Sequence, residues 1–458
     1  MGAAGDKIII EGMGRLPLLV CCAALAWAAA QAPRKILPYA VTQEDLPNGL
    51  RLVTIPTDFP NIVAVYVVVG AGSRNEVEAG HTGFAHLFEH LMFKGTPEYS
   101  EEQYTGALRK MGASSNAFTT EDYTCFYTVF SKEDLPTVLM MEADRFQHLK
   151  YSPAEFKTET LAVLGEYNKD ASSPFTRLDE VLDDTAFTTS TYKHTTMGFL
   201  KDVQDMPGEY DYSLQYFSRY YRPEYTTILV VGDVKARAAR QLAEKYWGGW
   251  KRGGYRPEIP AEPPQDAART NHVDWAGPTL PLLAIAYKGP AYTDSAPDTA
   301  ALEALAALAF SPTSPLYQKL VIEEQKADLL AASAPEHVDA SLFEIWARVR
   351  KPQDVDYVES RILETIGRLR DRPVDADQLE TVKKHLRYQA ALAMDSNDAI
   401  AQLAASYVAL RRTPETMNRL YDRYAALKPE DVQKAAAQYL VEKNRTTVTL
   451  NGAAGGAQ

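Results

Sequence analysis

Cysteine is scarce. The chain has 3 among 458 residues, and Cys21 and Cys22 sit side by side in an apolar run near the N-terminus. That leaves Cys125, which excludes an internal disulfide and a cysteine-rich metal site in the rest of the chain. Positive charge is also short. Lys and Arg number 48 against 60 Asp and Glu, for a formal charge of -12. A general nucleic-acid binder needs the opposite balance to neutralise phosphates. Long apolar runs are missing apart from Leu16 to Ala30, which is too short for a comfortable membrane span. A hydrophobic content of 46% with a mean hydropathy of -0.28 excludes both wholesale disorder and a polytopic membrane protein. No G-x-S-x-G nucleophile motif occurs. Gly70-Ala71-Gly72 follows a strand-like run, but Asn75 stands where a dinucleotide fingerprint needs its last glycine.

The run from Leu16 to Ala30, preceded by Arg15, fits the apolar core of an export signal. Ala28-Ala29-Ala30 offers a small-residue cleavage site before Gln31; Ala30-Gln31-Ala32 is the alternative. Asp6 and Glu11 suit a signal poorly, so Met13 is a candidate start. The expectation is a signal peptide over residues 1–30 and a periplasmic or secreted mature chain with no membrane span. An uncut anchor is the competing reading. Cys125 falls in an alternating strand pattern and reads as a small buried hydrophobe.

Two halves follow, at residues 37–247 and 271–451. Residues 248–270, rich in Gly and Pro, read as a linker, and residues 452–458 as a loose tail. Strand-like runs span Gly49 to Pro56, Ile62 to Gly70, Tyr123 to Phe130 and Thr226 to Val231. Helical spacing covers Gly83 to Phe93, Ser100 to Met111, Lys132 to Phe146 and Pro153 to Lys169. Ser152-Pro153-Ala154-Glu155 supplies an N-cap, a proline at the first helical position and a capping-box Glu; Ser131 to Asp134 offers similar cap logic. The strand–turn–helix plan of Ile62 to Phe93 recurs over Leu282 to Phe310. Aligning Phe93 with Phe310 sets Glu303, Ala306 and Ala307 opposite His86, Glu89 and His90. The reading is a duplicated α+β domain with chemistry in the first copy alone.

That chemistry is carried by His86-Leu87-Phe88-Glu89-His90. Residues i and i+4 share a helix face, so both imidazoles can meet one metal ion. Glu89 lies between them and can reach a water on that metal. This is H-x-x-E-H, the zinc-hydrolase motif read backwards. Catalytic zinc takes three protein ligands and keeps one position open. A third ligand must therefore come from elsewhere. Glu155, Glu159 and Glu166 lie on the helix from Pro153, where Leu161, Val163 and Leu164 would anchor it; spacing alone leaves the choice among the glutamates open. His81 and His194 read as surface residues rather than extra ligands.

The stretch from Gly83 to Thr96, GFAHLFEHLMFKGT, resembles the signature of the pitrilysin/insulinase family of inverzincin metallopeptidases, which includes the mitochondrial processing peptidase. Leu46-Pro47-Asn48-Gly49-Leu50, the segment Gly112 to Thr119, Tyr221-Arg222-Pro223 and Val230 to Asp233 resemble further family segments, as does Tyr192 to Met206 around His194. The resemblance implies one Zn2+ per chain, held by His86, His90 and Glu166, with Glu89 as general base. Glu159 matches a family glutamate that supports activity from outside the ligand set. Asn116, Ala117 and Phe118 match a substrate-binding edge strand. The implied fold is two related α+β domains, each a mainly antiparallel sheet covered by helices, forming one half of a clam-shell peptidase.

The second half of such an enclosure usually supplies an Arg and a Tyr seven positions apart. Val321 and Asp328 stand at the matching positions here. The resemblance therefore implies a zinc endopeptidase acting on short or unfolded peptides, paired with a homologous subunit that lacks the zinc motif and carries the Arg/Tyr pair. A homodimeric processing peptidase and a non-catalytic scaffold subunit are the alternatives.

Overall fold

The computed structural model describes residues 35–453. The expected signal segment lies outside them, as do residues 454–458. Eleven strands form two sheets among the described residues. The first contains β1 (Thr42–Asp45), β2 (Arg51–Pro56), β3 (Ile62–Val69), β4 (Ser114–Thr119), β5 (Thr124–Ser131) and β6 (Thr226–Gly232), in the order β1-β2-β6-β3-β5-β4. The second contains β7 (Arg269–Trp275), β8 (Leu282–Lys288), β9 (Ala327–Ser333), β10 (Leu342–Val349) and β11 (Arg445–Gly452), in the order β7-β11-β8-β10-β9.

Without β1, the two orders are the same. In each sheet the first strand pairs in parallel with the last, and every other pairing is antiparallel. The duplication read from two short segments thus extends through both sheets, and the fold is the expected α+β pair.

Five helices position the site and join the halves: α1 (Phe84–Leu91), α2 (Pro153–Asp170), α3 (Pro174–Ala186), α4 (Asp298–Phe310) and α5 (Asn397–Arg411). The run IVAVYVVV of β3 is apolar at every position because both faces of its sheet are covered. Val63, Val65, Val67 and Val69 pack with Phe84, Leu87, Phe88 and Leu91 of α1. Ala64, Tyr66 and Val68 face the other way, into a core shared with Ile400, Ala401, Ala404 and Ala405 of α5.

The exchange is reciprocal. Leu178, Leu182 and Ala186 of α3 pack on Leu282, Ala284 and Ala286 of β8 and on Val448 and Leu450 of β11. Each half therefore lends one helix to the other half's sheet. Polar bonds reinforce the exchange. Tyr66 Oη donates to Asp398 at 2.7 Å, and Asn397 Nδ2 donates to the Ile62 carbonyl at 2.8 Å. Ile400→Ala would open a cavity in this shared core and cost about 2–5 kcal/mol. Chemical denaturation should show one cooperative transition at lower denaturant. Independent melting of the halves, with the first unaffected, would contradict the exchange.

The connector is pinned along its length. Gly253 and Gly254 amides donate to Glu224 at 2.8 and 2.7 Å, and Thr189 and Ser190 amides donate to Glu262 at 2.8 and 3.0 Å. Gly452, expected in the tail, closes β11, and the Ala453 amide donates to the Trp275 carbonyl at 3.0 Å. Ser152 caps α2 with the expected reciprocal bonds to Glu155. Ser131 does not cap a helix: a 3-10 turn over Lys132–Asp134 intervenes, and the helix begins at Leu135. Cys125 is fully buried in β5, as read.

Candidate metal centre

α1 is short and amphipathic about an apolar floor. Leu87, Phe88 and Leu91 are fully buried against the first sheet, which turns His86, Glu89 and His90 toward α2 and β4. α2 crosses this face. Phe156, Val163 and Tyr167 are buried on its inner side, while Leu161, expected to help anchor it, is 51% exposed. Periodicity showed an apolar stripe but not its centre. The same packing brings Glu159 and Glu166, two turns apart, over the two imidazoles.

Three donor atoms form a triangle. His86 Nε2 lies 3.2 Å from His90 Nε2, and Glu166 Oε2 lies 3.6 Å from the first and 3.4 Å from the second. Ligands at about 2.0–2.1 Å around a tetrahedral zinc stand roughly 3.3 Å apart. The triangle has that size, and its composition of two imidazoles and one carboxylate is a catalytic zinc donor set. Of the three candidate glutamates, Glu166 alone joins this group; Glu155 is engaged in the Ser152 cap.

The two imidazoles are shifted in opposite directions. Burial, with the nearby His90 adding to it, lowers His86 to about 4, so its ring is neutral at pH 7 as a ligand must be. Its Nδ1 faces the Met197 thioether at 2.7 Å. The Glu159 carboxylate, 3.6 Å from Nδ1, raises His90. A carboxylate behind a ligating imidazole fixes its orientation and raises its basicity. Glu159 is itself held below the usual carboxylate range by His90 and by Lys94, whose Nζ lies 2.6 Å away. Glu89 sits beside the triangle. Burial raises its carboxyl, while a 2.8 Å bond from Thr119 Oγ1 pulls the other way.

Thr119 ends β4, the edge strand of the first sheet. The structure brings Asn116, Ala117 and Phe118 onto that strand, with Asn116 exposed and Ala117 buried. α1 and β4 are in contact, so the edge runs beside the imidazoles. In the second copy, Glu303, Ala306 and Ala307 of α4 line a cavity of about 640 Å³ whose opposite wall is β9, the edge strand of the second sheet. The alignment of Phe93 with Phe310 sets these residues opposite His86, Glu89 and His90. Tyr424 Oη donates to Glu303 there. Val321 lies in a wide helical turn, and Asp328 on β9 is paired with Arg348 at 2.7 and 3.2 Å.

Residue reasoning missed several parts. His194, read as a surface residue, is buried with its Nδ1 3.0 Å from the Thr195 carbonyl, and burial lowers its pKa. His81 is half-buried and stacks on Tyr212 at 3.9 Å. Lys94, Thr119 and Met197 stand inside the family-like segments Gly83 to Thr96, Gly112 to Thr119 and Tyr192 to Met206, so membership of those segments is the signal that points to them. Lys94→Met should release Glu159 and weaken zinc binding by about 10–100-fold, the usual cost of losing an outer partner. A chelator-competition titration checks this, and an unchanged affinity would show that Glu159 keeps its place without Lys94.

Comparison with known proteins identifies the family. The insulinase (peptidase family M16) model matches residues 51–199, and the peptidase M16 inactive-domain model matches residues 209–386. The chain belongs to the pitrilysin/insulinase family of peptidases. It is 28% identical over 415 residues to the zinc protease PqqE of Helicobacter pylori, covering 88% of this chain and 91% of that one. The crystal structure of a protease from Helicobacter pylori superposes with a TM-score of 0.84 at 27% identity, over 90% of this chain and 99% of that chain. The periplasmic protease PqqL from Escherichia coli shares the fold, with a TM-score of 0.72 at 17% identity, over 90% of this chain but 47% of that one.

Proposed function

We propose that this chain is a zinc-dependent endopeptidase of short or unfolded peptides and the zinc-bearing subunit of a two-chain enzyme. The observation that carries the catalytic part is the donor triangle of His86, His90 and Glu166 with Glu89 beside it. When bound, zinc lowers the pKa of water to about 7 and acts as a Lewis acid toward a carbonyl oxygen. The His86, His90 and Glu166 side chains would hold it through the three donor atoms of the triangle. Glu89 takes the proton of the attacking water as general base and returns it to the leaving amine as general acid. Burial suits Glu89 to that exchange by raising its carboxyl toward the pH at which it must both accept and release. Glu159 and Lys94 keep His90 aimed.

β4 supplies the substrate's track. An extended peptide can add to this open edge through backbone hydrogen bonds, with Asn116, Ala117 and Phe118 alongside. Backbone capture favours unfolded chains of varied sequence over folded surfaces. Export to the periplasm or outside the cell follows from the signal-like segment and leaves the mature chain without a span. No described helix is long and apolar enough to cross a membrane.

Pairing completes the enclosure. The chain matches about half of PqqL, and Asp328 is neutralised by Arg348 where the family pattern would place a substrate-holding side chain. A homologous partner without the zinc motif would bring the Arg/Tyr pair. The test is cleavage of an unstructured quenched-fluorescent peptide by the zinc-loaded mature chain alone. Bound zinc with little cleavage is expected. Robust turnover that disappears in Glu89→Gln would overturn the need for a different partner and support self-pairing.

A further inference from the structure

α1 begins without a cap of its own. Its N-cap is Gly83, held at φ +88, which has no side chain to offer the first-turn amides. An uncapped first turn frays, and a helix of 8 residues has little length with which to resist. Yet His86 is the third residue of that turn. The metal centre thus depends on the least secure end of its helix.

The missing cap comes from another segment. Glu76 is completely buried through its side chain. Its Oε2 accepts the Gly83 amide at 2.8 Å, and its Oε1 accepts the Ala85 amide at 2.7 Å. Burial raises this carboxyl, while the Ala85 and Gly83 amides, which donate to its two oxygens, favour the carboxylate and pull against that rise. A carboxylate at a helix N-terminus also complements the helix dipole. The segment that carries Glu76 is itself fixed. Tyr220 Oη donates to the Asn75 carbonyl at 2.7 Å, and the Arg74 amide donates to the Glu121 carbonyl at 2.8 Å. On the far side, Thr82 Oγ1 donates to Asp202 at 2.7 Å and accepts the Phe199 amide at 2.8 Å. Gly198 closes the cradle; a Cβ there would stand 2.6 Å from the Gly83 nitrogen.

We propose that Glu76 is a positioning residue of the metal centre, capping α1 from outside the helix and thereby fixing the aim of His86. The inference rests on the zinc-site reading above. It divides the labour between the two imidazoles. Glu76 secures His86 at the start of the helix, and Glu159 with Lys94 secures His90 at its end.

The test compares wild type with Glu76→Gln, which keeps the shape but turns an amide toward one of the two backbone donors, and with Glu76→Ala. Zinc affinity is measured by chelator competition, and the thermal midpoint is measured on the zinc-free proteins. The expected result is a zinc Kd raised by about 10–100-fold in Glu76→Gln, with more loss in Glu76→Ala. An unchanged Kd in a folded Glu76→Gln protein, whatever its midpoint, would overturn the proposal and leave Glu76 a purely structural group. If neither variant folds, hydrogen exchange on the wild type decides. Gly83 and Ala85 amides should exchange as slowly as core amides in the zinc-free protein, and exchange at loop rates would overturn the cap. Wild type that binds no zinc would instead sink the zinc-site reading, while the exchange arm still tests the cap.

Discussion

Glu89→Gln should keep about one zinc per chain and lose about 10²–10⁴-fold in kcat, the usual worth of a general base. Glutamine fits the same space and still accepts the Thr119 hydroxyl, which bonds Glu89 at 2.8 Å. It cannot accept a proton. The assay is peptide hydrolysis by the assembled enzyme, with metal content measured on the same preparation. Retained zinc with lost turnover places Glu89 in the chemistry. Lost zinc would make it part of the ligand set, and retained turnover would remove it from the mechanism. This variant also separates the peptidase from a scaffold subunit, which has no use for a proton acceptor beside its metal.

His86→Ala and Glu166→Ala should each abolish stoichiometric zinc at micromolar metal. Each removes one corner of a three-donor triangle, so the loss should exceed the roughly 10–100-fold that outer partners cost. The two variants differ in their effect on folding. Glu166 is 39% exposed through its side chain, so its loss should change stability by no more than about 0.5 kcal/mol. His86 is nearly buried, and truncating it leaves space beside Met197. Metal analysis paired with thermal unfolding of the zinc-free proteins checks both. Full zinc occupancy in Glu166→Ala would pass the third ligand to Glu159, the other α2 glutamate at the imidazoles.

The zinc-helix residues were legible because local spacing decides them. On a helix, i and i+4 share a face whatever surrounds it, so His86 and His90 had to converge. The third donor was not local. Glu159 and Glu166 share a face of α2, and which one reaches the imidazoles depends on how α2 crosses α1. The family likeness, not the spacing, singled out Glu166. Leu161 shows the same limit from the other side, since apolar spacing gave a stripe whose centre proved to be Val163.

Long-range exchange was not legible at all. α3 and α5 carry apolar faces in the sequence, but nothing local says that each covers the sheet of the other half. The all-apolar run of β3 matches the burial of both its faces. His194 and Glu76 were missed for a related reason. A polar residue is normally exposed, and no local pattern marks the partners that bury these two: the Gly83 and Ala85 amides for Glu76, and Glu76 itself, 3.9 Å away, for His194.

The central claim is that one zinc ion is held by His86, His90 and Glu166. A crystal structure of the zinc-loaded chain with anomalous data across the zinc edge tests it most directly. The account predicts one strong anomalous peak within about 2.0–2.2 Å of His86 Nε2, His90 Nε2 and a Glu166 oxygen, with Glu89 outside bonding distance. A peak at another cluster, or none there at full zinc loading, would contradict it.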